Sequence, residues 1–120
     1  MPLALRVASA VFAALFLLSA AVQLNDPDAA PWFVLYVAAT LVAAAAVRRP
    51  DWRPAAVLLA VSAGGGVAIA AGGLDAITWA ELFGDLRMKT LNVERWRELG
   101  GLGITAAWMA TLTWAGRRFG

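Results

Sequence analysis

The sequence contains no cysteine and no histidine, which excludes several common kinds of functional site from its 120 residues. Without cysteine there is no disulfide, thiolate nucleophile or cysteine metal site. Without histidine the commonest metal ligand is missing, together with the side chain whose unperturbed pKa lies closest to neutrality. Any catalysis must therefore rest on carboxylates, hydroxyls, arginine, Lys89 or Tyr36.

Charge is also scarce. Charged residues make up 15% of the chain and hydrophobic residues 62%, whereas about a quarter of a typical soluble protein is charged. The mean hydropathy is +0.71. Four apolar runs, each about long enough to cross a bilayer, cover residues 3–24, 31–47, 54–73 and 101–116. The sequence predicts an all-α fold, an integral membrane four-helix bundle that forms a single transmembrane domain over residues 1–120.

The arginines predict the orientation of this bundle. If all four runs cross the membrane, six arginines share one side with both termini, and seven acids share the other. The six arginines are Arg6, Arg48, Arg49, Arg53, Arg117 and Arg118. The positive-inside rule then makes both termini cytoplasmic. Because the composition is rich in alanine and arginine, we expect a bacterial inner membrane. The basic residues flank spans instead of forming a patch interleaved with aromatics, so nucleic acid is not an expected partner.

The first apolar run has a second interpretation. Arg6 followed by an apolar stretch and Ser19-Ala20-Ala21 is similar to a cleavable signal peptide. Cleavage would leave three spans. We favour a retained helix, because alanine-rich helices produce such triplets by chance and the following turn suits a helical hairpin.

Small residues dominate the third run, which contains Gly64, Gly65 and Gly66. Small side chains let helix backbones approach closely, which is a main source of packing energy in lipid. We expect this packing to be within the chain. A homo-oligomer interface and a break in the helix are the alternatives. Expected partners are therefore the lipid bilayer and either a membrane protein or a second copy of the chain.

The connection over residues 75–99 is the longest polar segment. Its first half places Trp79, Leu82, Phe83 and Leu86 on one helical face, which predicts an amphipathic helix lying on the extracytoplasmic membrane surface. The second half is expected to begin at Asn92 as an N-cap and to continue through Glu98 into the fourth span.

Two polar clusters are predicted to meet at the extracytoplasmic boundary. One is the turn from Gln23 to Asp28, and the other is the segment from Glu94 to Glu98. The candidate ligand-binding residues are Asn25, Asp26, Asp28, Glu94, Arg97 and Glu98. They could form a structural ion-pair network, bind a ligand such as a divalent cation through carboxylate oxygens, or contribute to catalysis. Neighbouring arginines favour the network, because they neutralise acids that a cation needs. No cofactor is otherwise expected.

The same clusters continue into motifs of a known family. The first motif is Gln23 and Asn25-Asp26-Pro27-Asp28 followed by Trp32 and Tyr36. The second is Glu94 and Arg97-Glu98-Leu99 followed by Gly101-Leu102 and Ala107-Trp108. With these motifs the chain resembles transmembrane family 220, small multi-span proteins of bacteria and animals. The resemblance implies an integral membrane protein and transfers no catalytic residues.

The expected function is that of a small multi-pass binding or accessory protein whose active surface is the extracytoplasmic cluster. A carboxylate-dependent lipid-modifying enzyme is one alternative, which requires a carboxylate with a raised pKa beside a pocket. A subunit of an oligomeric transporter is another. No acid or base lies near the middle of any apolar run, which argues against a proton-coupled path within one chain.

Overall fold

The computed structural model describes residues 1–25, 30–71 and 91–120, and for residues 91–96 it describes the backbone alone. Within these residues the chain forms four α-helices and no strand. They are α1 (Leu3–Gln23), α2 (Ala30–Arg48), α3 (Trp52–Ala71) and α4 (Leu91–Phe119). The predicted all-α fold is confirmed.

The first three helices agree with the first three apolar runs to within two residues at each end. Among the described residues, α1, α2 and α3 are long and apolar enough to cross a membrane. The α4 helix is longer, at 29 residues, and combines an apolar middle with charged residues near both ends. The crossing of the membrane by residues 101–116 of α4 stays a prediction. The packing of α4 along α3 supports it.

The long polar connection is only partly described. The amphipathic surface helix predicted around Trp79 to Leu86 lies outside the described residues. The prediction of Asn92 as an N-cap is wrong, because α4 already includes Leu91 and Asn92 is its second residue. Sequence signals place helix ends only to within a residue or two. The predicted passage of one helix through Glu98 into the fourth apolar run is confirmed.

The α1 and α2 helices pack against each other along their length. The buried Ser9 hydroxyl of α1 donates a 2.7 Å hydrogen bond to the Ala43 carbonyl of α2. Phe16 and Ala20 of α1 and Ala39 of α2 are also buried in the core. Because alanine keeps the two backbones close, this interface is dense without large side chains. The retention of the first run as a helix in the mature protein stays a prediction.

The α3 and α4 helices form a second antiparallel pair. A Cβ atom added at Gly65 would lie 3.4 Å from Leu102, and one added at Gly66 would lie 3.5 Å from Leu99. Gly64 faces open space. The α3 helix runs without interruption through all three glycines, so two of them serve helix packing within the chain and none breaks the helix.

Contacts between the two pairs are sparser than those within each pair. One of them is a stacked pair of rings, Phe12 of α1 and Trp108 of α4, with centroids 4.3 Å apart and planes 14° from parallel. Met109 and Leu112 of α4 are buried beside this contact in the same core. The four described helices therefore form one bundle made of two helical pairs.

Large apolar side chains cover the outside of this bundle. Leu18, Val22 and Leu41 are each more than 60% exposed. A soluble protein rarely leaves so much apolar surface in water, but lipid chains solvate it. The longest axis measures 43 Å, close to the roughly 40–45 Å thickness of a bilayer with its headgroups. The outer surface is therefore a lipid-facing one.

Five hydroxyl side chains, unlike that of Ser9, are satisfied by their own helix. Each donates to the carbonyl four residues earlier, at 2.7–3.0 Å. These residues are Ser19, Thr40, Thr105, Thr111 and Thr113. Back-bonding of this kind removes the cost of an unpaired polar group in lipid. The hydroxyls therefore need no partner from a neighbouring helix.

Candidate binding site at the acidic end

Alternation of helix direction gathers the polar residues at the two ends of the bundle. The end of α1 at Gln23, the start of α2 at Ala30 and the first turns of α4 lie together, and we call this the acidic end. The opposite end, which we call the arginine end, consists of the Arg48–Arg53 connection and the residues after Trp114. Antiparallel packing within each pair fixes this arrangement, as the Ser9 to Ala43 hydrogen bond shows for α1 and α2.

The structure locates four of the six candidate residues. Asn25 lies in an exposed turn just after α1, and its backbone N–H donates to the Val22 carbonyl at 3.4 Å. Glu94 lies in the first turn of α4, with its side chain outside the described part. Asp26 and Asp28 lie wholly outside the described residues. The structure places Asn25, Arg97 and Glu98 at the same end of the bundle, and the meeting of the two polar segments stays a prediction.

Arg97 and Glu98 occupy the second turn of α4, and both side chains are partly buried. Each takes part in at least one side-chain interaction. Successive residues on a helix point about 100° apart, so these two side chains occupy different faces of α4. The Glu98 carboxylate and the Arg97 guanidinium therefore extend in different directions from one turn of α4 at the membrane boundary.

Tyr36 of α2 lies next to this turn. Its side chain is 8% exposed, and its hydroxyl packs against Gly101 of α4, where a Cβ atom would collide with it. The Glu98 carboxylate is near enough to act electrostatically on the phenol. Tyr36 is six residues after Ala30, which places it about 9 Å inside the membrane end of α2. The acidic end therefore has a carboxylate, that of Glu98, close to a buried phenol.

Sequence reasoning missed the contact between Tyr36 and Gly101. It named Tyr36 only as a possible catalytic group and as part of a family motif, and Gly101 only as part of a family motif. One signal was present. Glu98 and Gly101 are three residues apart and so share a face of α4. A glycine on the same face as an ionisable side chain indicates that another element approaches closely. Identifying that element as Tyr36 required the packing of α2 against α4.

Metal binding at the acidic end depends on side chains that lie outside the described part of the chain. Among the described residues, no three acidic side chains converge to hold an ion. The additional carboxylates of the predicted cluster belong to Asp26, Asp28 and Glu94, whose side chains are outside the described part. The described residues thus supply one carboxylate oxygen ligand, from Glu98, and one phenol beside it.

Comparison with known proteins identifies the chain at the level of family. The family model described as transmembrane family 220, helix, matches residues 15–114. This range covers both polar motifs, all of α2 and α3, and the turn of α4 that carries Arg97 and Glu98. No solved structure matches the chain.

Proposed function

We propose that this chain, which belongs to transmembrane family 220, is a small binding protein of the membrane whose ligand is a cation held at the acidic end. Glu98 and the carboxylates of Asp26, Asp28 and Glu94 supply the oxygens. Arg97 orients these acids without filling the site. A divalent cation is the ligand that such a set of oxygens fits best.

The observation that carries this proposal is the proximity of the Glu98 carboxylate to the buried Tyr36 hydroxyl. Glu98 is partly buried and already takes part in at least one side-chain interaction, and a carboxylate has two oxygens, so it can also contribute to a cation site. The Tyr36 hydroxyl is held in place by its close contact with Gly101, so the phenol oxygen near this carboxylate is fixed before any ligand arrives. Fixing the polar groups of a site in advance lowers the entropy cost of binding.

Binding is tested on the purified protein in zwitterionic nanodiscs, with Mg²⁺, Ca²⁺ and Mn²⁺ as separate probes. At least one ion should raise the thermal midpoint of the wild type, and Glu98→Gln should lose that rise. The matched control is Asp51→Ser, which removes a carboxylate at the arginine end and keeps a capping oxygen. An equal rise in the wild type and in Glu98→Gln would count against the proposal, as would no rise with any ion.

A charge exchange separates ligand from ion-pair partner. The double variant Asp26→Arg with Arg97→Asp exchanges the two charges. If the two residues only form an ion pair, the pair forms again with its charges exchanged and the protein still folds. Cation binding should nevertheless be lost, because a guanidinium replaces a ligand oxygen. Retained binding in the exchanged protein would remove Asp26 from the ligand set.

The two alternatives expected from the sequence gain no supporting contact from the residues that the structure describes. A lipid-modifying enzyme needs a cleft beside its carboxylate. The cavity that the described residues form lies instead at the arginine end. A transporter subunit needs polar groups aimed between helices. The described threonine hydroxyls donate to carbonyls of their own helix instead.

For the location of the protein, we propose a bacterial inner membrane with the arginine end in the cytoplasm. The absence of cysteine makes this directly testable. In cells, a membrane-impermeant maleimide should label Asn25→Cys before lysis and Arg118→Cys only after lysis. Labelling in the reverse order would mean that the acidic end lies in the cytoplasm.

A further inference from the structure

A cavity of about 930 Å³ opens at the arginine end, far from the site described above. Its lining comes from the connection between α2 and α3 and from the last turn of α4. Three of the lining residues are arginines, Arg49, Arg53 and Arg117, and one is an acid, Asp51. The cavity therefore carries an excess of positive charge.

The single acid of this lining is already engaged. Asp51 Oδ1 accepts a 3.0 Å hydrogen bond from the Arg53 backbone N–H and so caps the start of α3. All three arginine side chains are exposed. An anion that enters the cavity would meet three guanidinium groups and one acidic side chain. The positive dipole end of α3 is offset there by the negative ends of α2 and α4, so the attraction comes from the arginines.

Trp52 holds two of the guanidinium groups in place. The Arg117 guanidinium carbon lies 4.7 Å from the centroid of the Trp52 ring, and that of Arg53 lies 5.5 Å from it. Cation–π contacts of this kind order an arginine while leaving its N–H donors available. Donors fixed in position before binding recognise planar or tetrahedral oxyanions more strongly than mobile ones.

Gly116 makes the contact between Arg117 and Trp52 possible. A Cβ atom at Gly116 would lie 2.8 Å from Trp52 Cα and 2.9 Å from the Asp51 carbonyl carbon. The end of α4 therefore approaches the start of α3 at backbone distance. The cavity is a consequence of this close approach, and its arginines come from two different helical elements.

The depth of the cavity in the membrane selects the anion. It lies between the ends of α2 and α3, both apolar enough to cross a membrane, and Val57, one turn further into α3, is 63% exposed. The cavity is therefore at headgroup level, where phospholipid phosphodiesters are the most abundant oxyanions. An anionic phospholipid suits three arginines better than a zwitterionic one, because its headgroup carries no cation to repel them. Basic pockets between spanning helices are suited to such headgroups.

We propose that this arginine cavity binds the phosphodiester headgroup of an anionic phospholipid through Arg49, Arg53 and Arg117, with Trp52 as the platform that orders the last two. The acyl chains of the lipid then lie on the exposed apolar face beside Val57. This proposal is independent of cation binding at the acidic end.

Binding is tested with the full chain in nanodiscs of phosphatidylcholine that contain a small fraction of spin-labelled phosphatidylglycerol. The wild type should hold an immobilised fraction of the label. Arg117→Gln should weaken the association at least about fivefold, because it removes a guanidinium that lines the cavity. General surface attraction contributes less than this in a bilayer that is mostly zwitterionic. The matched control is Arg118→Gln, which removes the same charge one residue away and outside the lining, and should change the association less than twofold.

Arg49→Gln guards against loss of folding in Arg117→Gln, because Arg49 belongs to the lining and is outside the Trp52 contacts. It should weaken the association by a similar factor. Equal losses in Arg117→Gln and Arg118→Gln would overturn the proposal and indicate general surface attraction. Displacement of the lipid by inorganic phosphate at millimolar concentration would also overturn it, because the cavity would then favour a soluble anion.

Discussion

Replacement of Gly116 by alanine should open the contact between α3 and α4 at the arginine end. The added Cβ atom would have to move from 2.8 Å to at least 3.4 Å from Trp52 Cα, where ordinary contacts begin. The three nearest atoms that it meets, Trp52 N, Trp52 Cα and the Asp51 carbonyl carbon, all belong to the backbone, so no side-chain rotation can relieve the clash. Overpacking of this kind costs about 1–3 kcal/mol.

The matched variant is Gly103→Ala, on the same helix. A Cβ atom at Gly103 meets nothing within 4 Å, so this variant gains helix propensity, worth up to about 1 kcal/mol, without a clash. Gly116→Ala gains the same propensity. The difference in the free energy of unfolding between the two variants should therefore be about 1–3 kcal/mol, with Gly116→Ala the less stable.

The assay is reversible unfolding in mixed micelles by titration with sodium dodecyl sulfate, followed by far-ultraviolet circular dichroism. A difference between the two variants within about 0.5 kcal/mol, the usual size of a surface effect, would refute the reasoning. It would mean that α4 does not reach the backbone of α3 at Trp52. The arginine cavity would then lack the close approach on which its geometry depends.

Further predictions use the same unfolding assay. Ser9→Ala should cost about 1 kcal/mol, because it removes the hydrogen bond to the Ala43 carbonyl; no cost would mean that α1 and α2 are not joined there. Gly101→Ala should destabilise the protein by an overpacking cost of about 1–3 kcal/mol, and Tyr36→Phe should recover part of that loss by removing the hydroxyl that the new Cβ meets. Additive effects of these two changes would contradict the contact. Met109→Ala should cost about 2–5 kcal/mol, since Met109 is fully buried, and a cost below 1 kcal/mol would place it outside the core.

The helices were largely predictable because a bilayer imposes their length. A spanning segment must satisfy its backbone hydrogen bonds internally and needs roughly 20 apolar residues. Both requirements can be counted in the sequence, and α1, α2 and α3 agree with the count. The start of α4 was less predictable, because its first turns are polar and the length rule does not apply to them.

Helix pairing was not predictable from the sequence. Apolar residues surround each of the first three helices, and alanine occurs both on buried faces, as at Ala43, and on exposed ones, as at Ala44. Lipid and core are equally apolar, so hydrophobicity does not distinguish them. The close approach at Gly116 was hidden for the same reason, since a glycine in an apolar run looks identical whether it faces lipid or a neighbouring helix.

The composition of the acidic end was predictable, but its geometry was not. Counting spans was enough to place Asn25 and Glu98 at the same end of the bundle. The position of Tyr36 near Glu98 depends on which face of α2 meets α4, and no charge pattern in α2 records that face. The geometry of the arginine cavity was not predictable either. Counting the spans predicts six arginines on one side of the membrane, but it does not show that Arg53 and Arg117 both contact Trp52.

The division of the bundle into two helical pairs has a consequence for biosynthesis. Almost everything that α1 contacts is within the first 48 residues, including the partner of the Ser9 hydroxyl. The first pair can therefore assemble as soon as α2 has left the ribosome, before α3 has emerged to pack against α4. Contacts between neighbours in the chain form quickly, so the nascent protein hides its alanine-rich surfaces one hairpin at a time.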